Sequence, residues 1–211
     1  MIKVKWFGHS MWKFSTKDVS IIIDPFTDIG YKMPQNETAD IVISSHDHFD
    51  HNNISLIKGN PLVINKEGNY NHKGITIETI QVWHDEHQGK DRGKNLLIKI
   101  MMDGKTLLHC GDLGHTLSDD IIKKLGKIDM LFIPVGGVFT INSQKAKEII
   151  DKLNPTLVFP MHYKTSKIDF NINPLDEFLA IAKTISYSNG NETDITNNDL
   201  VKHKTMVMNY E

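Results

Sequence analysis

The sequence predicts a single α/β domain over residues 1–211, and three observations predict it. Short β-rich runs fill the first half of the chain, and helical periodicity enters only after residue 118, where it alternates with buried strands. No stretch rich in Pro, Gly or Ser divides the chain. Charged residues at 24%, apolar residues at 39% and only 7 prolines describe a globular chain rather than a disordered or collagen-like one. A chain of this length buries roughly 70% of its unfolded surface, so its core needs no disulfide staple.

The elements follow in order. Runs at 2–7, 19–23, 41–43, 61–64, 75–82 and 96–101 read as strands, bounded by Asn, Gly and Lys clusters that mark turns. Residues 106–110 form a further short strand. Ser118 then precedes two acids and an apolar-periodic stretch through Leu125, with Gly126 behind it: an N-cap, a first turn suited to the helix dipole, and a stop. Residues 129–135 read as a buried strand. Ser143 opens a second helix with Ala146, Ile149, Ile150 and Leu153 on one face and Pro155 beyond its end, and the strand 156–160 follows. Asn173 is expected to cap a third helix, with Pro174 at its first position and Phe178, Leu179 and Ala182 on one side. Residues 204–210 close the chain as a strand.

Composition excludes several classes. The 24 Lys and Arg against 26 Asp and Glu leave a formal charge of −2, without the electrostatic signature of a general nucleic-acid binder. Cys110 is the single cysteine and can make no internal disulfide, which points to a reducing compartment. The start MIKVKWFGHS has no signal-peptide pattern, and no segment approaches the ~20 apolar residues of a membrane span. The expectation is a cytoplasmic protein with no membrane partner, free to form homo-oligomers. The unusual feature is histidine, with 11 residues.

His46-Asp47-His48-Phe49-Asp50-His51 follows the apolar strand 41–43 directly, so several metal ligands leave one strand end together. Alternate side chains share a face, so His46 and His48 can grip one metal while Asp50 and His51 turn toward a second position. One loop cannot complete such a site. Further candidates stand at other predicted strand ends: His84 after 75–82, Asp112 in CGDLG after 106–110, and His162 in PMHYKT after 156–160.

On these residues the sequence resembles the metallo-β-lactamase-fold hydrolases over essentially its whole length. Asp24 in IIIDPF, the H-x-H-x-D-H loop, His84, Asp112 and His162 come in that family's order. WFGHS, IIIDPF, WHD with RGKN, GDLGH, PVGG-x-x-T and PMHYKT resemble the branch of ascorbate-6-phosphate lactonase relatives and bacterial metal-dependent hydrolases. The resemblance implies a four-layer αββα sandwich. It also implies two divalent ions, zinc first with Mn, Fe, Co or Ni as alternatives, one held by His46, His48 and His84 and the other by Asp50, His51 and His162. Asp112 would bridge them, and Asp24 would fix the tautomer of a ligand histidine.

The implied reaction is hydrolysis, with a hydroxide shared by the two ions attacking a carbonyl or phosphoryl centre. Asp50, Asp112 and His115 are the catalytic candidates. His9, Arg92, Asn95, Thr140 and Lys164 adjoin the ligand loops and are candidates for supporting the site or facing substrate. The residual positive charge of such a centre favours a small anionic ester, lactone or phosphodiester. Two alternatives stand beside this reading: a nuclease or phosphodiesterase acting on RNA or nucleotides, and a non-catalytic metal-binding protein. The chain has no room for the added helical domain of glyoxalase II-type thiolesterases, and His48 stands where a diiron site would carry Glu. His109, inside a strand, reads as a buried structural histidine, and His72, His87 and His203 read as surface residues.

Overall fold

The computed structural model describes residues 1–200 and 204–210; His203 lies outside the described residues. Its strands are β1 (Ile2–Gly8), β2 (Met11–Ser15), β3 (Ser20–Ile23), β4 (Ile41–Ile43), β5 (Leu62–Ile64), β6 (Gly68–His72), β7 (Ile75–Trp83), β8 (Lys94–Met102), β9 (Lys105–His109), β10 (Met130–Pro134), β11 (Leu157–Met161), β12 (Ile185–Tyr187), β13 (Glu192–Ile195) and β14 (Lys204–Val207). The helices are α1 (Asp119–Leu125), α2 (Ser143–Leu153) and α3 (Asp176–Leu179).

Two sheets face one another. The first has the order β13-β1-β2-β3-β4-β5 and the second β12-β14-β11-β10-β9-β8-β7-β6. Their contact is aromatic at its centre: Trp12 and Phe14 of β2 lie 4.8 and 4.7 Å from Phe132 of β10, and Trp12 lies 5.6 Å from Phe159 of β11, between ring centroids. Alternation along the strands separates the layers. Ile21, Ile23, Ile41 and Ile43 enter the core between the sheets, while Ile22 and Val42 belong to a second apolar cluster outside the first sheet.

That outer cluster is closed by Phe26, Ile29, Tyr31, Ile57, Ile168 and Ile172. Phe26, Ile29 and Tyr31 come from the loop after β3, Ile57 follows a single 3₁₀ turn, Ile54–Leu56, and Ile168 and Ile172 come from the segment after β11. The outside of the second sheet is covered by α2 and α3, where Ile150, Phe178 and Val158 of β11 line one narrow crevice. The four layers implied by the resemblance are therefore present, the outermost one on the first sheet being loop and 3₁₀ turn rather than α-helix.

Strand direction positions the site. In the first sheet β3, β4 and β5 are parallel, and β1, two antiparallel steps from β3, runs with them. In the second sheet β9, β10 and β11 are parallel, and β7 shares their direction through antiparallel β8. The residues following β1, β3 and β4 and those following β7, β9 and β11 all emerge at one edge of the sandwich, the edge at which α/β sheets commonly bind ligands.

The helix ends follow from local chemistry. The Ser118 side chain accepts a hydrogen bond from the Ile121 N–H, and the Asn142 side chain from that of Lys145. The third helix departs from expectation: it is one turn, begins at Asp176, and has no side-chain cap. Asn173 cannot open it, because its N–H donates to Gly136 and its carbonyl accepts from Lys164, which holds 173–174 in an extended bridge. The strands β2, β6, β12 and β13 were not expected. The last three are half-exposed, polar edge strands without an apolar run, whereas β2 is central and carries buried Met11, Trp12 and Phe14. Among the described residues no helix is long and apolar enough to cross a membrane.

Candidate metal centre

At the shared edge four histidine rings surround one carboxylate oxygen. The Nε2 atoms of His162, His51, His84 and His46 lie 3.1, 3.2, 3.3 and 4.0 Å from Asp112 Oδ2. Asp50 Oδ2 is 3.6 Å from His51 Nε2 and 3.2 Å from His9 Nε2. His48 joins His46 and His84, with donor atoms within 4.8 Å of one another; the same limit holds for His9, Asp50, His51 and His162, and for His46, His51 and Asp112.

The backbone is bent to this arrangement. His9, Asp24 and His162 each follow a strand directly and each take φ of 51°, a left-handed conformation that non-glycine residues adopt at a cost and that clusters at functional sites. Gly114 in GDLG is required by space. A Cβ there would lie 2.2 Å from the Asp85 nitrogen and the His84 carbonyl carbon, so only glycine lets the Asp112 loop rest on the His84 turn.

Asp24 orients the rings. Its Oδ2 accepts from His51 Nδ1 at 3.0 Å and from Ser45 Oγ at 2.8 Å, while Oδ1 accepts from the Ser45 N–H at 2.7 Å. Ser45 Oγ, having donated to Asp24, accepts from His46 Nδ1 at 2.9 Å. Both rings are thus tied back through Nδ1 with Nε2 turned to Asp112, which leaves Nε2 as the nitrogen that a metal would take once it displaces the proton.

Burial opposes charge throughout the cluster, and neighbours decide the outcome. Burial, reinforced by His51, pushes His46 down to about 3, and burial with His162 pushes His9 down to about 4. His51 moves the other way, because Asp112 and Asp24 on either side of its ring outweigh burial. Asp112 is held well below the usual carboxylate range, against burial, by His162 and His51. Asp50 is likewise held low, mainly by the His9 hydrogen bond and His51.

The donor set fits divalent metal. His46 Nε2, His51 Nε2 and Asp112 Oδ1 are buried without a hydrogen-bond partner, a costly state for polar atoms unless a cation is shared among them. Imidazole nitrogens with carboxylate oxygens are the ligands that zinc and its transition-metal neighbours take.

A cavity of about 490 Å³ opens onto the cluster, with His48, Asp50, His84, Asp112 and His162 in its wall. Arg92 also lines it, with its guanidinium carbon 5.5 Å from the centre of the Phe139 ring. The remaining sequence candidates are elsewhere. His115 is corrected as a catalytic residue: its Nε2 accepts from the Trp83 N–H and its Nδ1 donates to the Thr116 carbonyl, so both ring nitrogens serve the backbone. Of the two roles expected of Asn95, its surroundings fit the supporting one. It is buried, donating to the Cys110 carbonyl and accepting the Asp112 N–H at 3.0 Å, and so braces the Asp112 turn. Thr140 donates to the carbonyl of Ile141, and Lys164 Nζ to that of Phe170, and neither lines the cavity.

Ser45, Asp47, Phe49, Asp85, Asp91, Phe139 and Phe170 were not singled out from the sequence. Asp85 had a signal: it stands at the head of EHQGKDRGKN, a loop of exposed backbone in need of an acceptor. Its carboxylate accepts the N–H groups of His87, Gly89, Asp91 and Arg92. Burial would raise it, but these four donors, that of Arg92 first, bring it down to about 2.

The model of the β-lactamase superfamily domain matches residues 3–162. The chain belongs to the metallo-β-lactamase superfamily. Within that superfamily it is similar, at 36% identity and a TM-score of 0.84 over 99% of this chain and 98% of the other, to a Thermotoga maritima protein solved as a presumed Zn-dependent hydrolase. A Thermococcus onnurineus relative, a UPF0173 metal-dependent hydrolase, is 28% identical over 193 residues, covering 78% of this chain and 86% of its own. A Thermoplasma acidophilum relative of the same description is 27% identical over 210 residues, covering 87% and 92%.

Proposed function

We propose that this superfamily member is a metal-dependent hydrolase with two divalent ions, acting on a small anionic ester, lactone or phosphodiester. The observation that carries this reading is the ring of four histidine Nε2 atoms about Asp112 Oδ2, with buried, unpartnered atoms on both sides of the carboxylate. The relatives named as metal-dependent hydrolases support it. His46, His48 and His84 would hold one ion and Asp50, His51 and His162 the other, with Asp112 shared between them. Bound there, the ions supply a water ionised near neutral pH and polarise a carbonyl or phosphoryl oxygen.

The chain's own residues do the rest. Asp24 and Ser45 tie back His46 and His51 through Nδ1, and Asn95 fixes the Asp112 backbone. Asp50 Oδ2, on the cavity wall and supported by His9, is the carboxylate oxygen placed to accept a proton from an entering water. Arg92 is the cation placed to orient an anionic substrate, because its planar fork matches a carboxylate or phosphate.

Protein prepared with ample zinc is expected to carry about two metal equivalents by plasma emission, since seven ligands exceed one tetrahedral ion. Asp112→Ala is expected to lose hydrolysis and metal while keeping its far-UV circular dichroism, because Asp112 stands outside the strands. A wild type with one equivalent or none, or a fully active Asp112→Ala protein, would contradict the reading.

A further inference from the structure

The cavity mouth carries apolar side chains whose exposure the fold does not require. Phe49, Val138 and Phe139 are 58%, 53% and 39% exposed, and Phe49, Phe139 and half-buried Phe170 line the same cavity as the histidine cluster. Exposed aromatic residues scattered singly need no explanation, but three on the wall of one site do.

Each ring is mounted on pinned backbone. The Phe49 carbonyl accepts from both the N–H and the Oγ1 of Thr27. That of Phe170 accepts from Lys164 Nζ at 2.9 Å and from the Ile172 N–H at 3.0 Å. Phe139 sits in a turn closed by hydrogen bonds from Phe139, Thr140 and Gly137 N–H groups, and the Ile141 N–H ties this turn to Leu113, beside Asp112. A Cβ on Gly136 would lie 2.2 Å from the His162 carbonyl oxygen, so the turn rests directly on the His162 backbone.

The same turn is strained. Val138 has φ of 59°, a conformation that is a steric outlier for a β-branched residue and costs on the order of 1–3 kcal/mol. The fold holds that strain while turning Val138 and Phe139 outward. The ring of Phe170 stands edge-on to Phe49 at 6.3 Å and to His9 at 5.5 Å, while Phe139 carries the Arg92 guanidinium. An apolar cleft therefore adjoins one fixed cation and the metal cluster.

We propose that Phe49, Phe139 and Phe170 form an apolar subsite, so that the substrate is an amphipathic anion: a hydrolysable, charged head at the histidine cluster and an aryl or alkyl group held between the rings. This rests on the reading of the cluster as a hydrolytic metal centre and adds the class of the leaving or acyl group. The rings also exclude water from the cluster when such a group is bound, which strengthens the pull of Arg92 on the charged head.

Calorimetry with the zinc-loaded protein and two inert anions, phenylphosphonate and methylphosphonate, tests it. Both present the same head to the metals and Arg92, and only one carries a ring. Phenylphosphonate is expected to bind at least about 10-fold tighter, from burial of the ring against apolar walls. Phe139→Ala, at an exposed position, and Phe170→Ala, whose half-buried ring also packs against the outer apolar cluster, are each expected to bring that ratio below about 3, with unchanged far-UV circular dichroism showing that each variant is folded. Metal-dependent binding of both anions with equal affinity, or a ratio unchanged in both variants, overturns the subsite alone. Failure of zinc to promote binding of either anion overturns the metal-centre reading and the subsite with it.

Discussion

Arg92 shows what a single residue adds to the histidine cluster. It shares the cavity wall with Asp47 and Asp91, so its charge is the local exception, and the face of Phe139 holds it in place. Replacing Arg92 with Ala is expected to raise KM for anionic esters on the order of 10- to 100-fold, the loss of one charge-assisted hydrogen bond, and to change neutral esters little. Steady-state kinetics on a matched pair of esters measures this, and equal losses on both would show that Arg92 only braces its loop. The other residues beside the ligand loops do not reach the cavity, for a common reason. Asn95, His115, Thr140 and Lys164 adjoin ligand loops, but adjacency does not say which way a side chain points. Each found a nearer backbone partner, such as the Phe170 carbonyl for Lys164. His109 was read as structural, and its ring bridges the two sheets: Nε2 donates to the Ser10 carbonyl and Nδ1 accepts the Gly111 N–H.

The loop from 85 to 93 makes the same point for an element. It has no strand or helix of its own, and its form comes from one buried carboxylate gathering four backbone N–H groups. Asp85→Ala is expected to release the loop and with it Arg92. KM for anionic esters should rise about as much as in Arg92→Ala, metal content should stay unchanged, and trypsin should cut native protein at Lys90 or Arg92. A fall in bound metal without new cleavage would instead assign Asp85 to the support of His84. Elements were legible where a run was apolar and buried, as in 41–43 and 129–135, because burial on both faces leaves a compositional mark. They were not legible at the sheet edges. The sequences GNYNH of β6 and ETDI of β13 become strands only because a neighbour offers its ladder, a tertiary cause absent from local composition.

At the scale of the whole molecule, the site is a seam. His46, His48, Asp50 and His51 leave the first sheet, while His84, Asp112 and His162 leave the second, so any shared cation joins the two halves. The clustered His and Asp residues were visible in sequence because their donor chemistry is unusual and follows strands; their convergence depends on strand direction, which only the assembled sheets fix. The seam also sets the response of the metal-free chain to acid. His9 and His46 titrate at about 4 and about 3 instead of the ordinary 6.5, and burial lowers His48 and His109 as well. Below pH 6.5 the unfolded chain takes up protons that the folded chain refuses at these four rings, so stability falls with pH across the window from 6.5 to about 4. His51 has the opposite sign. Its raised pKa gives stability that is fully present below 6.5 and lost as pH rises through the folded value, which offsets one of the four. The lowered carboxyls of Asp24, Asp50 and Asp112 add a further loss only below about 3.8. Thermal melts of EDTA-treated protein are therefore expected to give a lower Tm at pH 5 than at pH 7.5. Restoring zinc should raise Tm more at pH 7.5 than at pH 5, because protons compete with the metal for the same nitrogens. A metal-free Tm that is flat or higher at pH 5 would mean that the buried rings accept protons in the folded state, and that the seam opens to water without its ions.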